Sequence, residues 1–253
     1  MAEKITPQEQ QRNDPSFNFK IDIISHQKSG SPQKKFIAQI EDDPNETRFF
    51  KQVYSFEDTT AQTERQRFFK ENGVAVPEIY EAVQSNDGDW YLVAEDLTKG
   101  GKYLVMGLYE ATNGKETLTE KYKEIARKIP QETKLKIAED IVHACEASIK
   151  TRKNKQGEEV VYDTLGTGYM LAIDPTDPKN SKVYIGDFGV TDIFERSTDV
   201  LEHVRRLTTN AAVVFFSTMT GEEFPFPEKF GNLWEEAKAN SKEALEYFWS
   251  KTD

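Results

Sequence analysis

Val183-Tyr184-Ile185-Gly186-Asp187-Phe188-Gly189 is the stretch on which the reading of this chain turns. An apolar, strand-like run ends in a carboxylate, which is followed by an aromatic residue and a glycine. A carboxylate at a strand end, with a flexible glycine two residues on, suits the holding of a hard cation beside phosphate oxygens. The tripeptide alone fits equally well a strand that runs into an ordinary turn. The decision therefore rests on what the rest of the chain supplies.

Upstream, Arg48-Phe49-Phe50-Lys51-Gln52-Val53 sets Lys51 inside an apolar run rich in strand formers. In a central strand its ammonium needs a partner, and Glu64, in the helical stretch that follows, is able to supply one. On an edge strand the same lysine simply faces solvent. Further on, Val160-Val161-Tyr162-Asp163 puts an acid after two β-branched residues, just before the strand expected to pair with the one that ends at Asp187. Asp163 reads as an acid that orients a hydroxyl and takes its proton, or as a turn acid or helix cap.

Composition excludes several classes. Of the 253 residues, 37% are apolar and 11% aromatic, enough for a sizeable core. Lys and Arg number 33 against 44 Asp and Glu, a net charge of −11, which disfavours a general nucleic-acid binder. The one cysteine, Cys145, allows no internal disulfide and reads as a core residue on a helix face; with three histidines it makes a structural zinc site a poor fit. No stretch reaches the roughly 20 apolar residues of a membrane span, and the N-terminus lacks the apolar centre of a classical signal peptide. The expectation is a cytoplasmic protein, or one delivered into a host cell by a specialised secretion system.

Residues 1–14 are polar and read as a loose tail. Three strand-like segments follow, at 17–24, 36–40 and 48–54, with turn compositions at 26–32 and 42–46. A helical stretch runs from about Asp58 to Glu71. A hairpin comes next, at 78–83 and 90–94, closed by Asn86-Asp87-Gly88-Asp89. Beyond Leu97 the period becomes helical, with Leu118, Tyr122, Ile125 and Ile129 on one face and Ile137, Ile141, Cys145 and Ile149 on another. A strand pair at 169–173 and 183–185 interrupts the helices. A further helix from about Val200 ends at Thr220-Gly221, and a last amphipathic segment carries Trp234, Tyr247, Phe248 and Trp249. Strands with one inserted helix, then helices with one inserted hairpin, indicate an α+β protein of two lobes.

In this order the pieces resemble the protein-kinase-like superfamily over residues 15–225. Lys51 matches its strand lysine, Glu64 its helix glutamate, Asp163 its catalytic aspartate and Asp187-Phe188-Gly189 its metal-binding triad. Tyr91-Leu92-Val93-Ala94-Glu95-Asp96-Leu97 resembles its hinge. Gly73 to Glu78 with the hinge is similar to aminoglycoside-type small-molecule kinases. Tyr162 to Leu171 is similar to the reduced kinases that some bacteria deliver into host cells. Three departures stand out. Val161 occupies the place of a histidine or tyrosine. Gly168, or Tyr169 with one inserted residue, occupies that of a metal-binding asparagine, and Asn180 sits in a hairpin turn. Gly30 is the one glycine between the first two strands, where Lys28, Lys34 or Lys35 offer charge in compensation or form a solvated turn.

The resemblance implies a bilobal α+β fold: a tail at 1–14, an N-lobe sheet with one helix at 15–97, and a reduced, mainly helical C-lobe at 98–253. It implies ATP with Mg²⁺ (or Mn²⁺) as cofactors. Backbone groups near Glu95 and Leu97 would bond adenine, Lys51 and Glu64 the phosphates, and Asp187 the metal. Asp163 would position the acceptor hydroxyl of a protein or small molecule. The alternative that follows from the departures is a pseudokinase that serves as a protein-binding module.

Overall fold

The computed structural model describes residues 15–26, 33–40, 43–98, 102–108, 116–153, 157, 159–162, 168–186, 188, 193–195 and 198–249. It is α+β, with an antiparallel sheet in the N-terminal part and a helical C-terminal part. Contacts divide it into two compact units, Met1–Ala61 with Glu78–Asp96, and Gln62–Pro77 with Leu97–Asp253.

In the first unit, β1 (Ile21–His26), β2 (Lys35–Ile40), β3 (Asp43–Val53), β4 (Ile79–Gln84) and β5 (Trp90–Glu95) form a sheet in the order β1-β2-β3-β5-β4. All its pairings are antiparallel. Gly88, at φ +91°, supplies the turn between β4 and β5 that the Asp-Gly pair predicts. The expected turn at 42–46 is largely strand instead: β3 begins at Asp43, which pairs with Ile40 across a bulge at Gln39/Ile40. Pro44 is admitted there because it lies at the strand's start, where a missing N–H costs least. One sheet face buries Phe17, Phe36, Phe50, Tyr91 and Val93. The rings of Phe36 and Phe50 stack with centroids 4.9 Å apart, and Phe17 meets Tyr91 edge-on at 5.4 Å. Each such ring contributes about 1.5–3 kcal/mol by burial.

Helix α1 (Phe56–Glu71) starts at Ser55, whose hydroxyl accepts from the Asp58 N–H. It ends where Gly73, at φ +79°, lets the Gly73 N–H reach the Lys70 carbonyl and the Val74 N–H the Phe69 carbonyl.

The second unit holds α2 (Glu116–Ala126), α3 (Gln131–Ser148), α4 (Thr198–Thr220) and α5 (Trp234–Trp249). It also holds two small sheets. β9 (Tyr169–Ile173) pairs with β10 (Lys182–Ile185), as the sequence predicts, and with β6 (Leu104–Gly107), a strand that the helical reading after Leu97 overlooked. Leu-Val-Met-Gly is too short to show a period. β8 (Glu159–Tyr162) lies between β7 (Arg152–Lys153) and β11 (Ile193–Glu195). The core gathers Tyr122, Ile137, Ile141, Tyr169, Leu171, Phe215, Phe216 and Phe248. Cys145 lies within it, facing the Tyr169 hydroxyl at 3.6 Å. Gly221, at φ +74°, ends α4 as expected. Of the C-terminal aromatics, Trp234 and Phe248 are buried, whereas Tyr247 is exposed. No described helix is long and apolar enough to cross a membrane.

Candidate functional site

Lys51 lies on a central strand: β3 is flanked by β2 on one side and β5 on the other. Its direct neighbours are Lys35 and Leu92, and only 7% of it is exposed. The edge-strand alternative for this lysine is thereby excluded. Strand alternation puts Lys51 on the face opposite Phe50, away from the aromatic cluster.

Glu64 lies midway along α1 and falls in the second unit, whereas Lys51 falls in the first. The residue after Glu64 reaches Phe188: Arg65 Nη1 donates to the Phe188 carbonyl at 2.7 Å. The buried Phe188 ring packs against Phe69 of the same helix, with centroids 5.9 Å apart. Tyr162 approaches that helix too, at 5.2 Å from Phe68 and 6.3 Å from Phe69. Its hydroxyl bonds the Arg152 guanidinium. Burial pushes the Tyr162 phenol upward; Arg152 and Arg65 oppose this and the Glu64 carboxylate adds to it.

Asp163 and Asp187 lie outside the described residues. The residues that precede Gly186-Asp187 in sequence, and Gly186 itself, are held by backbone bonds. Ile185 N–H donates to the Ala75 carbonyl at 3.0 Å and Gly186 N–H to the Gly168 carbonyl at 2.9 Å. A Cβ on Gly186 would come within 2.1 Å of Met170 Cε, so glycine lets β9 close against the strand end. Gly186 and Phe188 are thus both held, and the Tyr162 ring shares Phe69 with Phe188. Sequence reasoning missed Arg65 and Phe69; the one available signal was the adjacency of Arg65 to Glu64.

Glu95 ends β5. Its N–H donates to the Glu78 carbonyl at 2.8 Å, and its Oε2 accepts from the Glu78 N–H at 3.3 Å. A contact to a base at Glu95 therefore cannot use that N–H. Asp96 accepts from the Thr47 hydroxyl at 2.6 Å, which ties the segment to β3, and Leu97 is buried.

The positions available for a second metal ligand are committed elsewhere. The Gly168 carbonyl accepts from Gly186, and Tyr169 is buried beside Cys145. Asn180 Nδ2 points to Asp174 Oδ2 at 3.5 Å. Asp174 also accepts from the Thr176 hydroxyl and from the N–H groups of Thr176 and Asp177. These bonds hold its carboxyl down to about 2. Among the described residues, no group of three or more His, Cys, Asp or Glu is placed to hold a metal ion.

No protein-family model and no curated protein matches the sequence. Solved structures similar to the chain include two protein kinases. The Cydia pomonella granulovirus kinase PK-1 is 14% identical, with a TM-score of 0.48, and the match covers 91% of this chain and 79% of that one. Vaccinia related kinase 3 is 13% identical, with a TM-score of 0.45 and coverage of 90% and 73%.

Proposed function

We propose that the chain binds ATP and transfers its γ-phosphoryl group to a hydroxyl of a protein or small molecule. The observation that carries this reading is Lys51, a lysine 7% exposed on a central strand. A lysine on a central strand is the residue type that places an ammonium on the α- and β-phosphates of a nucleotide. Glu64 is the carboxylate assigned to the same ammonium. The carbonyl of Glu95 and the backbone of Leu97 are assigned to adenine.

Asp187 would hold Mg²⁺ or Mn²⁺, which would supply positive charge against the phosphates. Asp163 would orient the acceptor hydroxyl and take its proton. A new O–P bond forms to the acceptor as the bond between the γ-phosphorus and the bridging β–γ oxygen breaks, and ADP leaves with that electron pair. The chain's own contribution is positioning and charge.

Gly168, Tyr169 and Asn180 favour a second reading, a nucleotide-binding pseudokinase that docks another protein. Gly168 has no side chain, the Tyr169 hydroxyl faces Cys145, and Asn180 turns its Nδ2 to Asp174.

The test is transfer from γ-labelled ATP by the wild type, Asp187→Ala and Lys51→Met, beside ATP binding by calorimetry. Transfer abolished in both variants supports the enzyme. Binding without transfer in the wild type, under either metal, supports the pseudokinase. Absence of both rejects the two readings.

A further inference from the structure

Tyr54 and Phe56 flank Ser55, the residue at which α1 starts. Local bonds fix this turn. The Tyr54 N–H donates to Asp58 Oδ2 at 3.3 Å, the Asp58 N–H to the Ser55 hydroxyl at 3.2 Å, and the Thr59 hydroxyl to the Phe56 carbonyl at 2.6 Å. An apolar residue in the place of Tyr54 commonly packs against the fourth residue of the helix. That residue is Thr59, which is buried, whereas Tyr54 is 81% exposed. Phe56 is 52% exposed, and its ring lies 5.0 Å from that of Trp90, which starts β5 opposite Val53. Scattered exposed aromatics need no account; two of them beside a third ring do. The stretches that carry these rings are acidic. No Lys, Arg or His occurs between Lys51 and Arg65 or between Lys70 and Lys99. Glu57 follows Phe56, and Asp87 and Asp89 lie in the turn that leads into Trp90; Glu57 and Asp87 are exposed. On β2, the Lys34 carbonyl accepts from Gln52 and Lys35 pairs with Lys51, before β3 reaches Tyr54. Lys28 lies outside the described residues.

We propose that Tyr54, Phe56 and Trp90 form the docking surface for a basic segment of a partner protein, one that sets an arginine or lysine beside a leucine or aromatic side chain. The cation settles on the face of a tyrosine or tryptophan ring, and its apolar neighbour covers Phe56. The acids around the rings draw such a segment in and turn acidic ones away. The backbone of the turn is already tied down, so little freedom is lost when the partner docks. The same acids disfavour two other occupants. A second copy of the chain, related by a two-fold axis, would set carboxylates against carboxylates, and an anionic lipid surface would be repelled. The surface lies beyond the nucleotide reading and serves whether or not the chain transfers phosphate.

The experiment selects a displayed library of random short peptides on the full chain. The enriched peptides, fluorescently labelled, are then titrated into wild type, Tyr54→Ala, Phe56→Ala and a triple variant with Glu57→Gln, Asp87→Asn and Asp89→Asn. Enriched sequences should pair arginine or lysine with a leucine or aromatic residue. Tyr54→Ala and Phe56→Ala should each weaken them about tenfold or more. The triple variant should bind several times more weakly, and wild-type affinity should fall as salt is raised. Tyr54→Ala should melt with wild type, because its ring is exposed, so its loss of binding is not a loss of fold. A selection that enriches nothing, or enriches acidic or uncharged sequences, overturns the proposal. So does binding left unchanged by both ring variants, or by the triple variant. Sedimentation of the peptide-free chain and flotation with phosphatidylserine–phosphatidylcholine vesicles run beside it. Self-association or vesicle binding that Tyr54→Ala abolishes would give the surface to a second copy or to a membrane, and overturns the proposal as well.

Discussion

Arg65 donates to the carbonyl of Phe188 across 2.7 Å, joining α1 to the residue that follows Asp187. One turn further along the helix, Phe69 meets the Phe188 ring. The backbone and the ring of Phe188 are thus set by two residues of one helix.

Removing the Arg65 donor leaves a carbonyl without that bond. Arg65→Ala should cost about 1–3 kcal/mol. A urea melt should show a lower midpoint with an unchanged slope. A midpoint equal to wild type would show that the bond carries no weight.

Phe69 touches both Phe188 and Tyr162. Phe69→Ala should cost about 3–5 kcal/mol, and Phe69→Leu much less. In a double-mutant cycle, Phe69→Ala and Phe188→Ala should couple by about 0.5–3 kcal/mol. Strict additivity would contradict the shared packing.

Gly186 leaves no room for a methyl beside Met170, whose Cε would lie 2.1 Å from an added Cβ. Gly186→Ala should cost about 1–3 kcal/mol through overpacking. Met170 is flexible, so Gly186→Ala combined with Met170→Ala should be more stable than the sum of the two single changes implies. Thermal melts of the four proteins decide it.

Asp174 is held down to about 2 by the Thr176 hydroxyl first, then by the N–H groups of Asp177 and Thr176. A depressed carboxyl stabilises the fold above its unfolded value and loses that contribution as pH falls through the folded one. The stability gap between wild type and Asp174→Asn should therefore be full above about pH 4, shrink between about pH 4 and 2, and close below that. Denaturant midpoints across this range would refute the assignment if the gap were flat.

Part of the N-terminal sheet was legible because β1 alternates plainly, half-buried and exposed in strict turn, and Gly88 marks the β4–β5 hairpin. Helix α1 was legible in extent, yet its buried side was hidden. Thr59, Gln62, Gln66 and Phe69 are all buried, a stripe at helical spacing in which three of the four residues are polar. Gln66 is satisfied by donating to the Pro77 carbonyl at 3.0 Å, a partner that no periodicity discloses. β6 escaped notice because four residues carry no period, and its pairing with β9 is long-range.

The order of residue types along the chain determined the succession of elements and singled out Lys51, Glu64 and the Asp187 triad, since local propensity and spacing are properties of neighbours in sequence. Only the tertiary structure decided that Lys51 is buried on a central strand, that Lys35 and not Lys34 stands beside it, and that Arg65 holds Phe188. Those facts depend on strand register and on contacts between distant segments, where a slip of one residue turns every side chain to the other face.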